Sequence, residues 1–88
     1  MTREEQLRLV RRDANLARNR VSAMLEAHWD EIFAEVLSRV DAGYDVFGTS
    51  GWRKLPYELD RDTIEELADA IAYQVMRRHR LANPAAFG

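Results

Sequence analysis

Residues 2–42 contain neither glycine nor proline, and their apolar side chains recur every three or four positions. That spacing indicates one face of an α-helix, because a half-buried strand would alternate at every second residue. At about 100° per residue, the apolar positions stay within one sector of a helix over its whole length. Thr2 followed by Glu5 is typical of a capping box, and Gly43 is typical of a helix end. We therefore predict one long helix over about residues 3–42.

A second, shorter helix is predicted near the end of the chain. Asp60 suits its N-cap position, and acidic residues follow in the first turn while arginines lie near the other end, which complements the helix dipole. Asn83 and Pro84 would stop it, so the expected helix covers about residues 60–81 and leaves a tail at 82–88. Its buried stripe is expected to comprise Ile64, Leu67, Ala68, Ile71 and Val75.

The predicted connection, residues 43–59, is long for a compact domain and therefore suggests local packing or a function. It contains the sequence Gly48-Thr49-Ser50-Gly51, which lacks both the lysine of a phosphate-binding P-loop and the pattern of a nucleophile elbow. A turn with two flexible corners is the favoured interpretation. Leu55 is expected to be extended because it precedes a proline.

The lengths of the two predicted helices do not match. A helix of about 38 residues spans roughly 57 Å, whereas one of about 20 residues spans roughly 30 Å. An antiparallel hairpin would leave the N-terminal half of the first helix uncovered, so we predict an all-α hairpin that is completed by dimerisation. The alternative is a three-helix bundle, which requires the long helix to break near residues 13–19. The residues predicted to mediate self-association are Leu7, Val10, Ala14, Ala17, Val21 and Leu25.

The composition argues against several chemistries. The chain has no cysteine, which excludes disulfides and thiolate metal sites. His28 and Glu31 lie one helical turn apart, but the motifs of zinc and di-iron helices are missing, so His28 is expected to be a half-buried packing residue. No pair of carboxylates stands in an apolar setting, as an acid–base couple would require. We expect no enzymatic activity, no metal and no cofactor.

Hydropathy and codon-linked composition bear on the cellular context. No apolar run approaches the roughly 18 residues of a membrane span, and no signal peptide is visible, so a cytoplasmic location without membrane contact is expected. Twelve of the thirteen basic residues are arginine. That bias is typical of a GC-rich genome, which keeps an accessory protein of a phage or mobile element among the hypotheses.

An arginine-rich segment near the N-terminus is the best candidate for contact with nucleic acid. Its polar residues share about a third of the helix circumference, and arginine and asparagine can contact phosphates and bases. The chain has a net charge of −2, however, and acidic blocks would repel phosphate. Pairing with acids of another subunit is therefore favoured over nucleic-acid binding. The candidate residues are Arg8, Arg11, Arg12, Asn15 and Arg18.

Half of the eight aromatic residues lie within the fourteen residues from Tyr44 to Tyr57. They could fold back over the open end of the helix pair, or they could form a protein-binding site, since Trp, Tyr and Arg dominate such sites. We predict a non-catalytic interaction or regulatory module that self-associates and binds an unidentified macromolecule. A small nucleic-acid-binding regulator is the alternative. The predicted partner-binding residues are Tyr44, Phe47, Trp52, Arg53, Lys54 and Tyr57.

Overall fold

The computed structural model describes residues 1–86, and this part of the chain is all-helical. Of the predicted tail, residues 87 and 88 lie outside the described residues. Two short 3-10 turns, at Ser50–Arg53 and Pro84–Ala86, accompany three α-helices. The helices are α1 (Arg3–Ala27), α2 (Trp29–Phe47) and α3 (Pro56–Ala82).

The N-terminus of α1 is fixed by the side chain of Thr2, which is its N-cap, although the predicted bond from the Thr2 backbone N–H to Glu5 is not among its contacts. The Glu5 backbone N–H donates to the Thr2 hydroxyl at 3.1 Å, and that hydroxyl donates to the Glu5 carboxylate at 3.1 Å. Two polar groups at the start of the helix are thereby satisfied by neighbours in sequence. The helix begins at Arg3, as the sequence predicts.

The prediction of one unbroken helix is wrong, because the chain leaves the helical conformation at His28. This residue has φ −119° and ψ 27°, although no glycine or proline is near. Its N–H still donates to the Met24 carbonyl at 2.9 Å, and its carbonyl accepts from Ile32 at 3.0 Å. The break is therefore one residue wide. It does not fall at residues 13–19, where α1 is continuous.

The predicted connection is shorter than expected at both ends. Helix α2 passes through Gly43 and ends at Gly48, whose φ of 59° favours glycine and whose N–H donates to the Tyr44 carbonyl at 2.9 Å. Helix α3 begins at Pro56 and not at Asp60, because proline suits the first helical position and Glu58 accepts the Leu55 N–H at 3.1 Å. Leu55 is extended, as predicted.

The main packing contact joins α1 to the C-terminal half of α3, and the two helices run antiparallel. Arg20 Nε donates to the Gln74 side-chain oxygen at 2.8 Å, and Arg78 Nε lies 3.8 Å from the Asp13 carboxylate. Between residues 1 and 86, α2 makes almost no contact with α3. The structure is thus neither the predicted hairpin of neighbouring helices nor a three-helix bundle.

The residues predicted to mediate self-association lie largely beneath α3. Ala17 is buried, and Ala14 and Val21 are half-buried. Only Leu7, Val10 and Leu25 keep more than a third of their surface exposed. The expectation that this stripe would be uncovered is therefore wrong for Ala14, Ala17 and Val21, whereas Leu7, Val10 and Leu25 remain partly exposed. The break at His28 and the greater length of α3 bring the end of α3 back to the start of α1.

The single chain has a very small core. Among the residues whose exposure is described, only Asp13, Ala17 and Val75 are buried. The radius of gyration is 16.3 Å, whereas a compact domain of this length would have roughly 12 Å. The accessible surface is 7771 Å², whereas a compact monomer of 10.2 kDa would expose roughly 5,300 Å². The chain therefore exposes about 2,500 Å² more than a closed fold would.

Candidate interaction surfaces

Helix α2 carries a continuous apolar surface that no other part of the described chain covers. Its positions follow a spacing of three and four residues and so share one side of the helix. Their exposed fractions range from 45% to 69%. The rings of Trp29 and Phe33 contact each other, with their centroids 6.0 Å apart. We call this surface the α2 face, and it consists of Trp29, Phe33, Val36, Leu37, Val40, Tyr44 and Phe47.

The structure brings only part of the predicted partner-binding group together. Tyr44, Phe47 and Trp52 line one shallow apolar hollow, together with Val40 and Leu59. The hollow lies where α2, the Ser50–Arg53 turn and the start of α3 meet. Tyr44 and Phe47 thus belong to the α2 face and not to a loop. The aromatic side chains of this hollow do not close it, because Trp52 remains 79% exposed.

The other three predicted partner-binding residues do not line the hollow. Tyr57 is on the first turn of α3 and is exposed, and Arg53 closes the 3-10 turn. Lys54 Nζ donates to the Asp62 carboxylate at 2.7 Å. That bond and the negative charge of Asp62 raise the pKa of Lys54 above its ordinary value. The side chain of Lys54 therefore forms an ion pair that joins the connection between α2 and α3 to α3 itself.

A basic cleft lies between α1 and the end of α3. Its walls carry four arginines, and Gln74 and Asn83 are also at its surface. Arg12 is the one residue of the predicted nucleic-acid-binding group in this cleft. Arg8, Arg11, Asn15 and Arg18 are exposed elsewhere on α1. The cleft arginines are Arg12, Arg20, Arg77 and Arg78.

Asp13 is the buried charge beside this cleft. Arg12 donates to both of its carboxylate oxygens at 3.0 Å, and Arg78 lies 3.8 Å away. The hydrogen bonds from Arg12 lower the pKa of Asp13 below its ordinary value, against the opposing effect of desolvation, and the positive charges of Arg12 and Arg78 act in the same direction. Asp13 therefore stays ionised and holds two arginines in place.

Charge is separated between two halves of the molecule. The packed half, residues 1–20 and 74–83, has nine basic against three acidic residues, for a net +6. The open half, residues 21–73, has twelve acidic against four basic residues, for a net −8. The packed half contains the α1–α3 contact, and the open half contains the α2 face. Such a molecule presents faces of opposite sign to a partner.

Sequence reasoning missed the N-terminal part of the α2 face, because it assigned that part to the covered half of a hairpin. The signal was available: residues 29, 33, 36, 40, 43 and 47 follow the alternating four-and-three spacing of a helix that packs against another helix. The contribution of Arg77 and Arg78 to the cleft was also missed, because it depends on which end of α3 contacts α1.

The structure adds two observations on other kinds of site. Among residues 1–86, no helix is both long and apolar enough to cross a membrane. No group of three His, Asp or Glu side chains in the same range could hold a metal ion. His28 was expected to be half-buried, but it is exposed, with Nδ1 at 3.4 Å from the Glu31 carboxylate.

Comparison of the chain with protein-family models, with curated proteins and with solved structures found no match in any of the three. The functional interpretation therefore depends on the surfaces themselves.

Proposed function

We propose that this chain is a non-catalytic helical interaction module, which self-associates and binds a macromolecular partner. The observation that carries the proposal is the α2 face, a helical surface of seven large apolar side chains that are each at least 45% exposed. Apolar patches of this extent on a soluble chain mark interaction sites. Self-association through this face adds a second surface to the predicted site on α1, of which Leu7, Val10 and Leu25 remain exposed.

The energetics of α2 support this function. In proteins most of the stability of a helix comes from packing of its apolar face and not from intrinsic propensity, and the apolar face of α2, a helix of 19 residues, is largely exposed. Each large side chain of the α2 face is worth on the order of 1.5–3 kcal/mol when fully buried. A second copy that covers this face would provide the packing that α2 lacks.

The surface area supports the same conclusion. The excess of about 2,500 Å² per chain over a compact monomer is of the size that obligate dimers bury. A standard transient interface would remove only about 800 Å² from each partner. Self-association therefore accounts for the open shape better than a brief encounter with a small surface.

The Ser50–Arg53 turn is the proposed contact for the macromolecular partner. Trp52 is the most exposed large apolar residue of the described chain, and Arg53 follows it directly. Tryptophan and arginine are the side chains that most often dominate binding energy at protein interfaces. The turn lies at one end of α2, where it can reach a partner after the copies have assembled.

Light scattering tests self-association. The wild-type chain is expected at about twice 10.2 kDa at tens of micromolar. Val36→Asp places a charge in the α2 face and is expected to weaken association at least about a hundredfold. Ser38→Asp adds the same charge on the opposite side of α2 and serves as the matched control. If both variants stay dimeric, the α2 face is not the contact.

Affinity capture from the native host tests the partner contact. A target that is retained by the wild type and by the variant Arg8→Glu/Arg11→Glu, but lost on Trp52→Ala, is the expected result. Recovery of the same target by Trp52→Ala would remove the turn from the proposal. Trp52 is exposed, so its replacement by alanine should leave the helices intact.

A second candidate function is favoured by one observation. The packed half has a net charge of +6, and four arginines surround one cleft within it. A small nucleic-acid-binding regulator would use this surface for phosphate contacts. Binding to duplex DNA should then fall steeply with salt and should be abolished by Arg20→Glu/Arg77→Glu, which reverses the charge of two cleft arginines that do not contact Asp13. Absence of any shift at 50 mM salt would exclude this candidate.

A further inference from the structure

The sign of the charges around the α2 face constrains which surface of a second copy can cover it. Within α2, five acidic residues accompany a single arginine, for a net −4. The first half of α3 is acidic as well, and both elements belong to the open half with its net −8. Pairing of one α2 face with the α2 face of another copy would bring like charges together, which opposes association.

The packed half offers an apolar surface with the opposite charge around it. A groove between the start of α1 and the end of α3 is lined by Leu9 and Val10 on one side and by Val75 and Met76 on the other. Met1 also lines it, and both methionines are more than half exposed. Methionine side chains adapt to an incoming apolar surface.

Part of the stripe predicted for self-association lies beside this groove. Val10 lines it, and Leu7 is one turn earlier on α1; both keep slightly more than a third of their surface exposed. The packed half thus combines this apolar groove, which Arg80 also lines, with a net charge of +6, whereas the open half combines the α2 face with a net charge of −8. These two surfaces are complementary within one chain type.

We propose that a second copy of this chain seats its acidic α2 face on the basic packed half, over the groove between α1 and α3. This inference rests on the proposed self-association and names the surfaces that meet. The occupant is a second copy because the complementary charges and the excess area are both present on this one chain.

If each copy places its α2 face on the groove of the other, the assembly is a closed two-fold dimer. Each chain has one α2 face and one groove, so two copies can cover both surfaces at once. Two such contacts in one dimer match an excess of about 2,500 Å² per chain better than a single contact does. A one-sided contact would instead leave an uncovered surface at each end and grow into longer chains.

Cross-linking through introduced cysteines tests the arrangement, and the chain has no cysteine of its own to interfere. Val36→Cys marks the α2 face, and Met76→Cys marks the groove; both residues are exposed in the single chain. Each variant alone, and a mixture of the two, is treated with a short bifunctional thiol reagent at a concentration where light scattering reports the dimer.

The expected result is a covalent dimer in the mixture and little in either variant alone. A dominant Val36→Cys homodimer, or a light-scattering dimer with no cross-link in the mixture, would overturn the inference while leaving self-association intact. A chain that stays monomeric at all concentrations would overturn both proposals.

The salt dependence of the dissociation constant is a second test. It has opposite signs for a contact of the α2 face with the groove and for a contact between two α2 faces. Contact between faces of opposite charge should weaken, with the dissociation constant rising by about tenfold from 50 to 500 mM salt, because the charges are screened. Contact between two α2 faces should strengthen over the same range, since screening relieves repulsion. Stronger association at high salt would overturn the inference.

Discussion

The packed half and the open half of this protein are built from the same kind of helix but differ in what covers it. In the packed half, the small side chains Ala14 and Ala17 lie beneath α3, together with Asp13 and its arginines. In the open half, α2 has large aromatic and branched side chains, and no described residue of the same chain covers them. Helical periodicity therefore specifies a face that must be buried, but not the surface that buries it.

One helix shows this difference along its own length. The stripe predicted for α3 has the correct period, and its C-terminal members behave as predicted: Val75 is buried and Ile71 is half-buried. Ile64 and Leu67, on the same side of the helix, are 66% and 46% exposed. The cover of the stripe therefore ends between Ile71 and Ala68, just inside the open half.

The largest expected effect comes from placing a charge in that stripe. Val75→Asp buries an unpaired carboxylate at a site that is 3% exposed, so it should cost about 3–5 kcal/mol and unfold most of this small domain. Ile64→Asp is the matched change in the open half. In dilute solution it should leave the helix content close to that of the wild type.

Circular dichroism at low micromolar concentration measures both variants. Equal loss of helix in the two would contradict the distinction between the halves, because it would mean that Ile64 is already covered in the single chain.

A smaller effect is expected at the end of α2. Gly48 has a φ of 59°, so Gly48→Ala should destabilise the chain by about 1–3 kcal/mol through backbone strain. Gly43 lies inside α2 with open space where a Cβ would be, so Gly43→Ala should stabilise it by about 0.5–1 kcal/mol. Urea unfolding of the two variants should shift in opposite directions. If Gly48→Ala stabilised the chain as Gly43→Ala does, Gly48 would not have the positive φ of a helix C-cap.

The packed half should also respond to acid. The pKa of Asp13 is lowered in the folded state, so its contribution to stability is complete above its ordinary pKa of 3.8 and is lost as the pH falls through the lower folded value. Asp13→Asn should be less stable than the wild type at pH 6, and the difference should shrink towards pH 2. A constant difference across that range would show that the charge of Asp13 is not what holds Arg12 and Arg78.

The smallest effect is expected at Lys54. Its bond to Asp62 is on the surface, where ion pairs contribute little and are screened by salt. Lys54→Met should leave thermal stability almost unchanged and should not alter the solution mass. A clear loss of association would show instead that Lys54 contributes to the contact between copies.

The sequence was sufficient to predict elements whose signals are local. The N-cap at Thr2, the extended Leu55 and the period of the α3 stripe all appear in the structure. The break at His28 was not predictable in the same way, because histidine and the Trp29 that follows have only moderately poor helix propensity. The start of α3 was misplaced because Pro56 and Glu58 cap the helix before Asp60 can.

The candidate site was harder to predict than the helices. Which face remains open depends on where α1 ends, and one residue at His28 decides that. Once the break is known, the alternating spacing of the α2 face and the charge difference between the halves can both be read from the sequence. Association through α1 was predicted because the wrong half of the long helix was expected to be uncovered.

Hydrogen exchange of backbone amides at two protein concentrations measures the difference between the halves most directly. At low concentration, amides of α1 and of the C-terminal half of α3 should be protected, while those of α2 should exchange rapidly. At a concentration where the dimer forms, α2 should gain at least about tenfold protection. Equal protection of α2 and α1 at every concentration would contradict the account, because α2 would then need no second chain to cover it.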